Sequence, residues 1–380
     1  MVDTGAPAQP FRPSGLINRL AASPRFQSFC ARVPGLSGVA RREGAALFDL
    51  MQGFVQSQML MALVELRVLH LLADGPATVE ALASRTALPP ERMQILLQAG
   101  AAMHLLRRKG ARFALARRGA AFLAVPGLQD MVRHHGVLYG DLADPVAFMR
   151  GETQPELARF WPYVFGASGP MDPDVTARYS RLMADSQTLV ADEALAHVSL
   201  KGASKLLDVG GGTGAFLRAV RARYPDLALA LFDLPDVVAQ AALPANVARH
   251  GGSFRTDPLP VGADVICLVR VLYDHADATV AALLAKVHAA LPPGGRVLII
   301  EPMSGGARPD PQTDVYFAVY TLAMQTGRTR SADEIATLLQ AAGFEAVSKA
   351  SGKRPYLARA IEARKPARGQ ENSRKSVNVS

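Results

Sequence analysis

A chain of 380 residues with 49% hydrophobic content has enough apolar mass for two packed domains plus extensions. Cys30 and Cys267 lie far apart, the second inside the apolar run VICLV, which excludes a disulfide framework or a cysteine metal site. The net charge of +9 leaves nucleic acid or an anionic membrane surface open as partners, while no run approaches ~18 uncharged apolar residues, so no membrane span is expected.

Met1–Pro13 is polar and Pro-rich, unlike a signal peptide, and the cysteine usage suits a reducing cytoplasm. Residues 1–40 have weak periodicity and read as a basic arm (Arg12, Arg19, Arg25, Arg32) with one short helix near Gly15–Ala22, for dimer or membrane-surface contact. Ala45–Leu72 is apolar on a helical period, with Gly53 as the candidate kink between two helices. Thr78 reads as an N-cap, Pro89-Pro90-Glu91 opens a helix through Met103, and Arg107–Leu115 makes a hairpin.

Helix, helix, helix and wing suggest a winged helix-turn-helix, a fold that can bind DNA. The segment Glu91–Met103 carries one Arg and one Glu and is otherwise largely apolar, so burial against a partner is favoured over nucleic acid. The blocks Gly119–Gly140 and Pro145–Pro170 carry aromatics and read as links and cavity walls. His134 and His135 are adjacent, not spaced i, i+4 as helix metal sites are, so no metal is expected.

Lys205–Val220 (KLLDVGGGTGAFLRAV) reads as a buried strand, a glycine loop (Gly210, Gly212, Gly214) and a helix start. Such a loop sits at the carboxyl end of a parallel strand and takes a cofactor. Asp208 before the first glycine would repel a pyrophosphate and suits a sulfonium and an ammonium, which favours S-adenosylmethionine over NAD. Leu229–Pro235 (LALFDLP) is a second strand ending in Asp233, which can take both ribose hydroxyls; the competing reading is a helix cap. Leu234 follows it at the same strand end.

Strands then follow at Val247–His250, Ala263–Val269 (leading into Arg270) and Arg296–Glu301, with a helix Ala278–Leu291 whose His288 reads as a surface residue. Ser331 and Glu334 make a capping box for a helix to Gly343. Glu345–Lys349 and Pro355–Ala360 read as a final antiparallel pair, and the chain from Arg364 onward as a disordered tail.

DVGGGTG followed by FDLP resembles the class I methyltransferases, and more narrowly the O-methyltransferase family that includes hydroxyindole, plant phenolic and bacterial polyketide enzymes. The likeness runs from about Phe48 to Leu357. RVLYDHAD and MQTGRTRSADEI are similar to the carotenoid-methylating members from purple phototrophic bacteria.

The resemblance implies an α/β fold: a Rossmann-like sheet, mostly parallel with an antiparallel last strand, at residues 191–362. A winged-helix-like dimerisation domain (41–130) would precede it, linked by cavity-wall helices (131–190). It implies a homodimer and an apolar hydroxycarotenoid acceptor, and a family helix containing Met183 near the sulfonium. Ser253 stands where the family often has an acid facing adenine, and Phe254 offers an apolar wall.

Where the family carries its H-D-W catalytic triplet, this chain has Tyr273-Asp274-His275. The flanking carboxylates map to Glu301 and to Thr329, which is not acidic. His275 is the candidate base, with Tyr273 orienting the hydroxyl; which faces the cavity depends on whether the chain is still extended there. A long acceptor needs an apolar tunnel, for which Met59, Leu60, Met61, Met103, Met131 and Met149 are candidates. A phenolic or polyketide acceptor, a winged-helix ligand sensor and an NAD enzyme remain open alternatives.

Overall fold

A computed structural model of the protein describes residues 13–160, 189–196, 198–350 and 354–367. The chain divides into two units, residues 1–123 and 124–380.

The first unit opens with α1 (Leu16–Ala21), α2 (Pro24–Arg32) and α3 (Leu36–Glu65). The expected loose arm is therefore helical well beyond one short helix. Ser23 caps α2 by accepting from Phe26 N–H, and Pro24 fits the first turn, where no N–H is needed. Gly53 does not kink anything: it lies inside the unbroken 30-residue α3. A glycine costs a helix about 1 kcal/mol, and α3 also carries Gly38 and Gly44 without a break. The break comes after Glu65, where Arg67 takes a left-handed φ of 54° before α4 (Val68–Leu71).

Thr78 caps α5 (Val79–Thr86) as its type suggests, accepting from Ala81 N–H, and α6 spans Pro90–Ala102. Strands β1 (Ala77–Thr78), β2 (Leu106–Lys109) and β3 (Arg112–Leu115) form a small sheet in the order β1-β3-β2. Met93, Leu96 and Leu97 of α6 pack inward with Leu63, Val68 and Leu82. α7 (Arg117–Ala124) ends the unit.

The second unit begins with α8 (Leu128–Asp141) and α9 (Pro145–Met149). Its seven-stranded sheet has the order β6-β5-β4-β7-β8-β10-β9. The strands are β4 (Lys205–Val209), β5 (Ala228–Asp233), β6 (Ala248–Gly251), β7 (Val265–Val269), β8 (Arg296–Glu301), β9 (Glu345–Ala350) and β10 (Arg359–Arg364). β4 to β8 pair in parallel, and β10 runs antiparallel to both its neighbours. All five residues of β7 are buried, as expected for a strand covered on both faces. Helices α10 (Ala215–Arg223), α11 (Pro235–Ala239), α12 (Asp277–Ala290), α13 (Ala318–Met324) and α14 (Ala332–Ala341) connect the strands. β4 lies between β5 and β7, so the crossovers diverge there and open a crevice at the carboxyl edge.

Three expectations change at the end of the chain. The last strand is Arg359–Arg364, not Pro355–Ala360, because its register against β8 pairs Arg359 with Glu301 and Arg364 with Arg296. Lys365, placed in the tail by its charge, donates to the carbonyls of His288 (2.8 Å) and Leu291 (2.7 Å) and so closes the end of α12. His288 is half-buried, its ring edge-on to Phe344 at 5.1 Å, rather than on the surface. Residues 368–380 lie outside the described residues.

Ser331 and Glu334 form the capping box of α14. Arg330 just before it is fully buried. Its guanidinium donates to Leu272 O and His275 O, both at 2.8 Å, and to Asp277 Oδ1 at 2.6 Å. Gly327 lies against the same turn: a Cβ there would come within 2.0 Å of Tyr273 O, so no side chain fits. Arg330→Met should cost about 3 kcal/mol, because it strands buried carbonyls and breaks a partly buried ion pair. Denaturant unfolding checks this, and a loss within experimental error would mean the turn holds itself.

Candidate active site

The glycine loop follows from the strand before it. β4 delivers Val209 to the carboxyl edge, and Gly210, Gly212 and Gly214 all take positive φ (69°, 57° and 80°), open to glycine at little cost. Asp233, at the end of neighbouring β5, ties that loop down. Its Oδ2 accepts from Gly212 N–H (2.8 Å) and its Oδ1 from Leu234 N–H (2.7 Å). Burial raises its pKa, and the two N–H groups partly offset that. Asp233 is not the cap of α11, whose N-cap position is Leu234.

Asp208 lies beneath the loop, fully buried, and neither of its oxygens has a hydrogen-bond partner among the described residues. Burial, reinforced by Asp233, pushes its carboxyl well above the ordinary range. A Cβ on Gly211 would sit 2.4 Å from Asp208 Oδ2, so the glycine makes room for this carboxyl. A buried acid without a donor is costly, and a cation brought close would relieve it.

The crevice is lined by Gly210, Asp233, Leu234, Ser253, Phe254, Arg270 and His275, all singled out from the sequence. Asp208, Gly212 and Gly214 shape the loop from behind without reaching the lining. Met183 lies outside the described residues. Gly252, Arg255, Val271 and Asp274 also line the crevice and were missed. Asp274 is the middle residue of the Tyr273-Asp274-His275 triplet, and the other three sit beside residues already chosen. Ser253 Oγ accepts from Arg255 N–H at 3.3 Å, and Lys286 Nζ holds the carbonyls of Phe254, Arg255 and Asp257 at 2.8–3.0 Å.

After β7 the backbone turns sharply. Arg270 holds a left-handed φ of 57°, a strained value for a side chain of its size. Leu272–Asp274 form one 3₁₀ turn, and His275 returns to extended backbone (φ −129°, ψ 150°). The turn separates the two candidates for proton handling. The His275 ring meets Phe254 edge-on at 5.2 Å in the crevice lining. Tyr273 points elsewhere, fully buried, with its hydroxyl accepting from Arg270 Nε at 3.2 Å.

Arg255 Nη2 lies 3.3 Å from His275 Nδ1. A guanidinium only donates, so Nδ1 accepts and the ring proton sits on Nε2. Burial, then Arg255 and Arg330, lower the His275 pKa to about 4. The ring is therefore neutral near neutral pH, with its one basic lone pair already engaged.

Glu301, at the end of β8, accepts from Leu272 N–H (3.0 Å) and Tyr273 N–H (3.2 Å) through Oε2. Asp274 is buried beside it, and its Oδ1 has no hydrogen-bond partner among the described residues. Of the tunnel candidates, Met59, Leu60 and Met103 line a groove in the first unit. Met131 lies 3.7 Å from the Tyr316 hydroxyl in the second unit, and Met149 is 67% exposed.

An O-methyltransferase domain model matches residues 139–345, more than half of the chain, and an O-methyltransferase dimerisation domain model matches residues 48–124. The chain belongs to the O-methyltransferase family. It is 62% identical over 358 residues to the demethylspheroidene O-methyltransferase of Cereibacter sphaeroides, covering 92% of this chain and 94% of that one. The Rhodobacter capsulatus enzyme of the same name is 55% identical, covering 94% and 91%. Among solved structures, human N-acetylserotonin methyltransferase in complex with SAM superposes with a TM-score of 0.71 at 26% identity, covering 86% of this chain and 98% of that one.

The glycine loop, the Asp233 tether and the crevice lie together at the carboxyl edge of the sheet, and the turn at Leu272–His275 borders them. Burial raises Glu301 from 4.5 to about 7, with Arg330 and the two N–H groups opposing. The folded enzyme thus holds a proton that the unfolded chain releases at lower pH. That contribution to stability is complete below pH 4.5 and is lost as the pH rises through about 7. Glu301→Gln keeps an acceptor for both N–H groups and cannot titrate. Its unfolding free energy should lack this component of the wild-type decline. Denaturation of both proteins across that range checks it, and parallel curves would mean the folded-state carboxyl titrates normally.

Proposed function

We propose that this O-methyltransferase transfers a methyl group from S-adenosylmethionine to the hydroxyl of an apolar hydroxycarotenoid. The observation that supports the acceptor class is the 62% identity, over 92% of the chain, to a carotenoid O-methyltransferase. S-Adenosylmethionine supplies, when bound, a methyl group already activated by positively charged sulfur. The chain's task is then to align and to manage one proton.

In this reading Asp233 accepts the ribose hydroxyls, and Phe254 and His275 flank the base. Gly210 admits the ligand close to the backbone, and the carboxyls of Asp208 and Asp274, whose pKa burial raises, ionise as its cationic end comes close. Arg270 fixes Tyr273, which stands where the family carries its catalytic histidine and orients the acceptor hydroxyl. Glu301 and Arg330 act one step back, holding the turn that presents Tyr273. With its lone pair engaged by Arg255, His275 serves the cofactor wall more than proton transfer.

The chain assembles as a homodimer through its first unit. Phe48 (55% exposed), Met51 (63%) and Phe54 (72%) lie on α3 within the matched dimerisation segment and give a partner an apolar face. A carotenoid acceptor resides in membrane. Contact with an anionic surface would draw on the α1–α2 segment, where Leu16, Ile17 and Phe29 are exposed beside Arg19, Arg25 and Arg32. Among the described residues no helix is long and apolar enough to cross a membrane.

The purified chain supplied with S-adenosylmethionine and a hydroxycarotene in detergent should yield the methyl ether; methylation of a phenol alone would move the acceptor class. Asp233→Asn should weaken S-adenosylmethionine binding by about 1–3 kcal/mol, measured by calorimetry, since a charged acceptor is lost. Wild-type affinity in that variant would remove Asp233 from the ribose site. His275→Gln should raise the cofactor KM more than it lowers kcat, and a collapse of kcat at unchanged KM would restore it as the base.

A further inference from the structure

Two histidine–tyrosine pairs in the second unit have no part in the cofactor crevice. His134 Nε2 lies 2.8 Å from Tyr320 Oη, and His135 Nε2 lies 2.7 Å from Tyr316 Oη. The histidines are consecutive on α8. The tyrosines are four apart, their rings stacked at 6.0 Å and 27°. Tyr316 falls in a π-helical turn, Pro311–Phe317, that runs directly into α13. Such wide turns cost helix regularity and occur often at functional sites.

The surroundings are otherwise apolar: Leu138, Phe148, Leu157 and Met324 pack with Tyr320 in one buried cluster. α13 also packs against the Leu272–Asp274 turn. Tyr320 is thereby brought within electrostatic reach of Tyr273, Arg270 and Asp274. Tyr320 thus stands on a helix that packs against the turn bordering the crevice.

The chemistry asks for such a group. An aliphatic hydroxyl is too weakly acidic to ionise before attack. Once its oxygen has bonded to carbon, the resulting protonated ether is a strong acid. A weak base suffices, provided it is in place and neutral. His134 meets both conditions: burial, then the neighbouring His135, lower its pKa to about 4.

We infer that Tyr320 and His134 form the proton exit of methyl transfer, with Tyr320 Oη contacting the acceptor hydroxyl beside Tyr273. This rests on the reading of the acceptor as an aliphatic alcohol. The new oxygen–carbon bond forms as the carbon–sulfur bond breaks, its electron pair staying on sulfur. The acceptor's proton passes to Tyr320 Oη, while the Tyr320 proton passes to His134 Nε2. The positive charge lost from sulfur reappears on the imidazole, so charge balances. The low proton affinity of buried His134 then favours release to solvent and resets the pair.

Tyr320→Phe keeps the stacked ring and removes only the hydroxyl. It should lower kcat about 10²-fold on a hydroxycarotene, with S-adenosylmethionine affinity and acceptor KM unchanged. His134→Asn should match it, and the double variant should be no slower than the worse single, as for groups acting as one unit. His135→Asn disturbs the neighbouring pair equally and should retain kcat within about threefold if only the Tyr320 pair carries the proton. Wild-type kcat in Tyr320→Phe, additive losses in the double variant, or an equal loss in His135→Asn would overturn the assignment. Should the wild-type enzyme reject the hydroxycarotene and accept a phenol, the acceptor reading fails; the relay is then scored by the same variants on that phenol.

Discussion

The site depends on how one irregular turn is held. Residues Leu272–His275 leave the central sheet without a regular ladder to satisfy their backbone. Glu301 takes the N–H groups of Leu272 and Tyr273 from one side. Arg330 donates to the carbonyls of Leu272 and His275 from the other. Both side chains are fully buried. Breaking either grip leaves unpaired backbone groups in a low-dielectric interior, where each costs on the order of 1–3 kcal/mol. Because the turn is gripped at both edges, Tyr273 and His275 diverge into different surroundings and can serve different ends.

The same economy governs the loop side. Asp233 spends both carboxylate oxygens on backbone N–H groups of its own chain, which locks the glycine bend to the neighbouring strand. Asp208 and Asp274 keep oxygens without partners among the described residues. Burial raises the pKa of both, so each is held protonated unless a cation comes close. Asp233 thus fixes the loop, while Asp274 in the crevice lining and Asp208 behind the loop keep carboxyls whose pKa burial raises.

Much of this was legible from residue types and spacing. Local rules succeeded wherever the cause was local. Thr78 and Ser331 cap helices because their hydroxyls reach the N–H three residues on. The run VICLV is a doubly covered strand because nothing in it could face water. Local rules failed where distant partners decided. Gly53 marks a kink by type, yet the helix around it continues. Lys365 looks like tail charge, yet two carbonyls some seventy residues earlier hold it. His288 looks like surface, yet Phe344 covers its ring.

The sequence by itself determined the glycine loop, the acid at the end of the second strand, the succession of parallel strands along the chain and the family to which they belong. Those follow from short-range periodicity and from residue types that few backbone shapes accept. Only the tertiary structure decided which way Tyr273 and His275 face, because a 3₁₀ turn of three residues depends on Glu301 and Arg330, far away in the chain. It alone joined His134 to Tyr320 and His135 to Tyr316, across separations of 186 and 181 residues. No periodicity encodes such pairs; they exist because α8 and α13 pack side by side, and that packing is a property of the whole fold.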